Sequence, residues 1–135
     1  MPKTKNSAPY VLDASVITDG RVVEEVRQGA LPTQTLIVPE AVLLELEHQA
    51  GRGQEVGYTG LRELKALQAL CVERGLTLRY AGARPEPNAE GRIDPDAVDS
   101  LVAQLAEAEG AVLVTGNRIQ AMVAEAQGLA LRFLA

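Results

Sequence analysis

The sequence predicts an α/β fold of three layers, in which helices flank a central, mostly parallel sheet of about four to five strands. Two observations carry this prediction. Short apolar runs alternate with helical patterns along the chain, and the connections between them are short. Such alternation is typical of parallel sheets whose two faces are both covered by helices.

The strands are predicted where aliphatic and β-branched residues form short runs between turn residues. These runs are 10–12, 35–38, 76–80, 111–114 and 129–134. Helices are predicted where apolar residues recur at helical spacing and a glycine ends the pattern. They cover 21–28 and the stretches 42–50, 61–71, 98–105 and 119–126. Pro39 is suited to the first turn of the second helix, and residues 81–93 form a loop rich in proline and glycine.

Length and composition indicate one globular domain. The chain has 135 residues, of which 47% are hydrophobic and 23% are charged. Residues 1–9 are polar and predict a frayed tail, so the domain spans 10–135. The single Cys71 excludes an internal disulfide and a cysteine-based zinc site, and the single His48 excludes a histidine-rich metal site. No apolar run approaches a membrane span of about 20 residues, so we expect a cytoplasmic protein.

The charge balance narrows the possible partners. Thirteen Lys and Arg stand against 18 Asp and Glu, which gives a net charge of −5. A protein that coats DNA without sequence specificity would usually be basic. An acidic domain can still act on nucleic acid if its acids are concentrated in a metal site.

Polar residues follow two of the predicted strands. Asp13, Ser15 and Asp19 come after the first strand, and Thr115 and Asn117 come after the strand at 111–114. Ligands of open α/β sheets bind at the carboxyl ends of the strands. We therefore expect these residues at one edge of the sheet.

Two acids on predicted helices could join this group. Glu45 lies beside the apolar stripe of the second helix, and Asp99 lies between Val98 and Val102. Asp94 and Pro95 predict an N-cap and a first helical residue, so Asp99 falls beyond the first turn, where capping no longer explains an acid. Carboxylates suit hard cations such as Mg²⁺ and Mn²⁺.

Four stretches of the chain resemble the motifs of PIN domains, with the spacing kept from about Tyr10 to the C-terminus. The stretches are 11–21, 37–49, 98–101 and 114–121. The second places its acid on Glu45, and the fourth, usually Thr-x-Asp, has Asn117 in place of the acid. The segment 51–70 most resembles the PIN module of archaeal proteins that join PIN, ATPase and KH domains. A freestanding chain of this length also resembles the VapC-type toxins.

The resemblance implies a three-layer PIN-like fold and a nuclease that uses Mg²⁺ or Mn²⁺, usually an endoribonuclease acting on RNA, most often single-stranded. Asp13, Glu45 and Asp99 would be metal ligands, and Asn117 would stand at the fourth catalytic position. Asp19 could supply the charge that Asn117 lacks. The hydroxyls of Ser15 and Thr115 would orient carboxylates or water.

Each of these roles has a simpler alternative. Asn117 suits a helix N-cap, and Asp19 suits a turn before Gly20. Arg118, Arg21 and Arg52, together with Arg62, could line an RNA groove or be ordinary surface residues. The resemblance also implies a homodimer and, for a toxin, an antitoxin peptide as partner, with no membrane association.

Two other function classes remain beside the nuclease. A catalytically silent module for RNA binding or assembly is favoured by Asn117 and by the net negative charge. A receiver domain of phosphorelay type also places acids and a threonine at strand ends, but it needs a lysine there. Lys3, Lys5 and Lys65 end no predicted strand, which argues against this class.

Overall fold

The structure, a computed structural model, describes residues 8–134. The predicted tail over 1–9 therefore lies, apart from Ala8 and Pro9, outside the described residues. In chain order the elements are β1 (Tyr10–Leu12), α1 (Ala14–Thr18), α2 (Arg21–Arg27), β2 (Thr35–Pro39), α3 (Glu40–Gly51), α4 (Glu55–Arg74), β3 (Thr77–Ala81), α5 (Pro95–Glu109), β4 (Val112–Thr115), α6 (Arg118–Ala126) and β5 (Leu131–Phe133).

The sheet has five strands in the order β3-β2-β1-β4-β5, and every neighbouring pair is parallel. This confirms the predicted α/β fold with helices flanking a parallel sheet. The chain builds one half of the sheet outward from β1 and then crosses to the other side for β4 and β5. The boundary between β1 and β4 is therefore the topological switch point, where ligands of such sheets bind.

The core lies on both faces of the three central strands. Val11 and Leu12 of β1, Ile37 of β2 and Leu113 and Val114 of β4 are completely buried. Strands buried on both faces need continuous apolar runs, which is why these three could be predicted from the sequence. None of the helices formed by the described residues is long and apolar enough to cross a membrane.

The close packing of α3 on α4 depends on two buried glycines. A Cβ atom at Gly57 would meet the backbone N of Ala50 and the backbone O of Leu46 in α3, and one at Gly60 would meet the Leu46 side chain. The glycine-rich stretch 51–57 is therefore only partly a loop. Its last residues, from Glu55, belong to α4 and hold the two helices together.

Three details of the sequence prediction are wrong. Helix α1 was not predicted at all. Pro39 ends β2 and precedes α3 with an extended backbone, φ −62° and ψ 137°, so it is not a helical residue. The predicted last strand, 129–134, is shorter, because only Leu131–Phe133 pairs with β4.

The face that α6 presents to the core is not the one that carries its large apolar residues. The apolar pattern of this helix is Ile119, Met122 and Val123, but these side chains are 68%, 60% and 50% exposed. The buried face carries Gln120, Ala121 and Ala124 instead. These small alanines let α6 lie close to the sheet. Because this face of the helix is the buried one, Gln120 lies at the switch point.

Candidate active site

Asp13 is placed by the end of β1 and by the start of α1. Its backbone N–H donates to the carbonyl of Val114 at 2.9 Å, which continues the β1–β4 pairing. The side chain is only 4% exposed and accepts the backbone N–H of Ser15 at 3.2 Å, so Asp13 is the N-cap of α1. A carboxylate at a helix N-terminus is stabilised by the free N–H groups there.

Two hydroxyls hold the same carboxylate. Ser15 Oγ donates to Oδ2 of Asp13 at 2.6 Å, and Thr115 Oγ1 donates to the same oxygen at 3.1 Å. Each hydroxyl also accepts a backbone N–H from the loop after β4, Ser15 from Gly116 at 2.9 Å and Thr115 from Asn117 at 3.0 Å. The loops after β1 and β4 are thus joined around one acid.

Gln120 is a fourth partner of Asp13 that was not predicted from the sequence. With its amide orientation assigned from the hydrogen bonds, Nε2 donates to Oδ1 and Oδ2 of Asp13 at 3.0 and 3.1 Å and lies 3.3 Å from Thr115 Oγ1. The opposite orientation would set the amide oxygen against the carboxylate. The one sequence signal for this buried face was the pair Ala121 and Ala124, which lie at helical spacing next to Gln120.

Asn117 caps helix α6. Its Oδ1 accepts the backbone N–H of Ile119 at 2.9 Å and that of Gln120 at 3.1 Å. The oxygen that an asparagine would offer to a metal ion is therefore occupied by two N–H donors. The capping role that the sequence allowed is confirmed, and the side chain itself is exposed at the switch point.

Helices α3 and α5 bring Glu45 and Asp99 to this edge. Asp99 follows buried Val98, on a helix that begins with Asp94 accepting the N–H of Asp96 at 3.0 Å. Glu45 precedes buried Leu46. Both carboxyl groups are partly buried beside the sheet edge.

The pKa values show that these carboxyl groups act on one another. Partial burial, with the charges of Asp99 and Asp13 adding to it, raises the pKa of Glu45 to about 7. Partial burial, with the charges of Asp13 and Asp96, raises the pKa of Asp99 to about 6. Asp13 and Asp99 add to the shift of Glu45, and Asp13 adds to the shift of Asp99, so the three carboxyl groups lie close enough to form one electrostatic group. Perturbed acids of this kind are typical of functional sites.

The grouping of the carboxylates and their donor chemistry bear differently on a metal ion. Within residues 8–134, no three His, Cys, Asp or Glu side chains are grouped tightly enough to hold a metal. The donor chemistry nevertheless fits a hard divalent cation, because three carboxylates that repel one another supply oxygen ligands and unneutralised charge. A groove of about 530 Å³ between α5 and α6 is lined by Asp99, Asn117 and Gln120 and gives solvent access to this group.

The remaining predicted residues lie outside the carboxylate group. Asp19 accepts the backbone N–H of Arg21 at 3.0 Å and forms an exposed ion pair with its side chain at 3.2 Å, which matches the turn alternative. Arg118 lies over the ring of Phe133, 5.4 Å from its centre, and Arg62 pairs with Glu55. Their roles toward metal or RNA stay predictions.

Comparison with known proteins agrees with this fold. The family model for the PIN domain matches residues 10–126. An uncharacterized KH and PIN-domain containing protein from Methanocaldococcus jannaschii is 36% identical over 123 residues, which are 91% of this chain and 19% of that protein. The chain thus spans about a fifth of the length of this curated relative.

Two solved structures resemble the chain. A domain of a functionally unknown protein from Methanocaldococcus jannaschii superposes with a TM-score of 0.88 at 34% identity, covering 96% of this chain and 92% of that one. A PilT N-terminus domain protein from Sulfolobus solfataricus superposes with a TM-score of 0.49 at 13% identity, covering 92% of this chain and 85% of that one.

Fold and site together define a parallel α/β domain with acids gathered at the switch point of its sheet. The chain belongs to the PIN domain family. PIN domains are commonly nucleases, and they typically use divalent metals.

Proposed function

We propose that this PIN domain is a Mg²⁺- or Mn²⁺-dependent endoribonuclease that hydrolyses phosphodiester bonds of single-stranded RNA. The observation that carries the proposal is the electrostatic group of Asp13, Glu45 and Asp99. Asp13 follows β1, and Asp99 lines one groove with Asn117 and Gln120, which follow β4. Membership of a family whose members are commonly nucleases supports it.

Asp13, Glu45 and Asp99 would hold the divalent ion. Such an ion supplies a water molecule with a lowered pKa and offsets negative charge on the phosphate. Ser15, Thr115 and Gln120 fix the direction of the Asp13 carboxylate through their hydrogen bonds. Outer partners of this kind commonly matter nearly as much as the ligands themselves.

Glu45 links ion binding to pH. With a pKa of about 7, its carboxyl group carries a proton for much of the time at neutral pH when no ion is bound. Ligands must be deprotonated to bind a cation, so ion binding displaces this proton and becomes stronger as the pH rises.

A second candidate function is a silent module that binds RNA or other proteins without cutting. One observation favours it: the Asn117 oxygen at the fourth position of the motif is used as a helix cap and adds no negative charge. A site with one carboxylate fewer would hold a cation more weakly.

Cleavage of end-labelled single-stranded RNA with Mn²⁺ or Mg²⁺ separates the two candidates. The set comprises the natural chain, Asp13→Asn, Asn117→Asp and, as a matched control, Asp94→Asn, which changes a helix-capping acid of α5. Circular dichroism confirms that each variant is folded. We expect cutting by the natural chain, loss of at least about 100-fold in Asp13→Asn, and little change in Asp94→Asn.

Two results would count against the nuclease. If only Asn117→Asp cuts, the fold and the other acids are suited to catalysis and the natural chain is a silent module. If no protein in the set cuts any of several RNA sequences with either ion, the nuclease proposal is wrong.

A further inference from the structure

Most arginine side chains among the described residues of this acidic protein contact a partner within the protein. Of the ten arginines in residues 8–134, six form ion pairs with acids: Arg21, Arg27, Arg62, Arg79, Arg84 and Arg132. Arg74 donates to two backbone carbonyls, and Arg118 lies over an aromatic ring. Among the described residues, the side chains of Arg52 and Arg92 have neither an ion pair nor a hydrogen bond.

These two arginines line the same pocket. It has a volume of about 300 Å³ and lies between the C-terminal half of α3, the start of α4 and the segment before α5. Glu45 lines it too, so the pocket adjoins the carboxylate group. Pockets of this volume are at the lower end of the range that holds small ligands.

Two contacts link α3 to the loop that forms the other wall of the pocket. His48 Nε2 lies 2.7 Å from the carbonyl oxygen of Gly91, a hydrogen bond between α3 and the loop that carries Arg92. A second link lies farther back on the same loop, where Arg84 pairs with Glu40 of α3 at 2.9 Å. The two guanidinium groups therefore project from segments that are held to one another.

Two guanidinium groups without acidic partners, in a chain with a net charge of −5, create a local positive field beside a group of acids. Guanidinium matches the geometry of phosphate and can donate two parallel hydrogen bonds to it. Neither arginine forms an ion pair with Glu45, which leaves both available to an anion from solution. The acids alone would repel a polyanion.

We propose that the pocket of Arg52 and Arg92 binds a backbone phosphate of RNA next to the phosphodiester bond that lies at the carboxylates. This inference rests on the proposed function for the identity of the polymer, but it concerns binding and needs no cleavage. It also explains how an acidic domain retains its substrate, since contacts to phosphate position a nucleic acid without reading its sequence.

The test measures binding of a fluorescent single-stranded RNA in EDTA, so that no cation bridges protein and RNA and no cleavage occurs. The variant is Arg52→Gln with Arg92→Gln. The matched control is Arg27→Gln with Arg79→Gln, which removes the same charge from two exposed arginines that are ion-paired. Dissociation constants are measured at several salt concentrations.

We expect the pocket variant to bind RNA roughly tenfold more weakly at low salt, and the control to change far less. Each phosphate contact on a single strand contributes about −0.7 to the slope of log K against log salt, so loss of one phosphate contact should make the slope shallower by about 0.7. Equal losses in both variants, an unchanged slope, or no RNA binding by the natural chain in EDTA would each overturn the proposal. Binding is measured without a metal ion. If the natural chain binds RNA but never cuts it, the nuclease proposal is therefore wrong, while the proposal about the pocket still stands.

Discussion

The carboxylate of Asp13 accepts hydrogen bonds from four donor groups. Ser15 contributes a backbone N–H and a hydroxyl, Thr115 contributes a hydroxyl, and Gln120 contributes an amide. Most of these bonds converge on Oδ2. The remaining oxygen, Oδ1, has Gln120 as its one donor, so the direction in which Oδ1 points depends on that amide.

We predict that Gln120→Leu weakens Mn²⁺ binding by about 10- to 100-fold, as is typical when an outer partner of a metal ligand is lost. Leucine fills a similar volume but cannot donate to Asp13, so Oδ1 loses its donor while Ser15 and Thr115 still hold Oδ2. Isothermal titration with Mn²⁺ measures the effect. Gln127→Leu, which changes an exposed glutamine lining the α5–α6 groove, is the control. An unchanged Mn²⁺ affinity in Gln120→Leu would show that Gln120 only fills space.

The site was partly predictable at this scale. Asp13, Ser15 and Thr115 could be predicted because they follow strands that the sequence marks with continuous apolar runs. Gln120 could not, because the more apolar residues Ile119, Met122 and Val123 predicted that the opposite face of α6 would be buried. The helix instead packs through Ala121 and Ala124, and the smaller residues permit the closer approach.

Among the elements, α1 shows why short helices are difficult to predict from sequence. It has five residues, including β-branched Val16, Ile17 and Thr18, which have low helix propensity. An isolated helix of this length is not stable in water. It forms because Asp13 caps it and because Val16 and Ile17 are buried in the core. The same cap that starts the helix fixes the acid of the site.

The contact between α3 and α4 leads to a prediction about stability. We expect Gly57→Ala to lower the free energy of unfolding by about 1–3 kcal/mol, because the added methyl group would meet the backbone of α3 at Ala50 and Leu46. Chemical denaturation with urea measures this change.

Gly51→Ala is the matched control for the same helix pair. Gly51 is the last residue of α3, and a Cβ atom there would have no neighbour within 4 Å. Alanine also favours the helix over glycine, so we expect no loss of stability and a gain of up to about 1 kcal/mol. If Gly57→Ala were as stable as Gly51→Ala, the close contact of α3 with α4 would not limit the side chain at position 57.

For the whole molecule, the carboxylate group couples stability to pH. The pKa of Glu45 is raised from 4.5 to about 7, and that of Asp99 from 3.8 to about 6, so the folded protein binds these protons more tightly than the unfolded chain. Their contribution to stability is fully present below the unfolded pKa values and is lost as the pH rises through the folded values. The loss therefore falls between about pH 4 and pH 7.

We predict that in EDTA the protein becomes less stable from pH 5 to pH 8, by on the order of 1–2 kcal/mol from these groups once solvent screening is allowed for. Glu45→Gln should flatten this dependence and be more stable than the natural chain at pH 8, whereas Glu86→Gln, which changes an exposed loop acid, should change neither. Urea denaturation at each pH measures the profile. Added Mn²⁺ should restore stability at pH 8, because a ligand that binds only the folded state stabilises it. A natural chain and a Glu45→Gln variant with the same pH profile would show that neither burial nor the acidic neighbours raise the pKa of Glu45, and the basis for a metal site at the β1–β4 boundary would be lost.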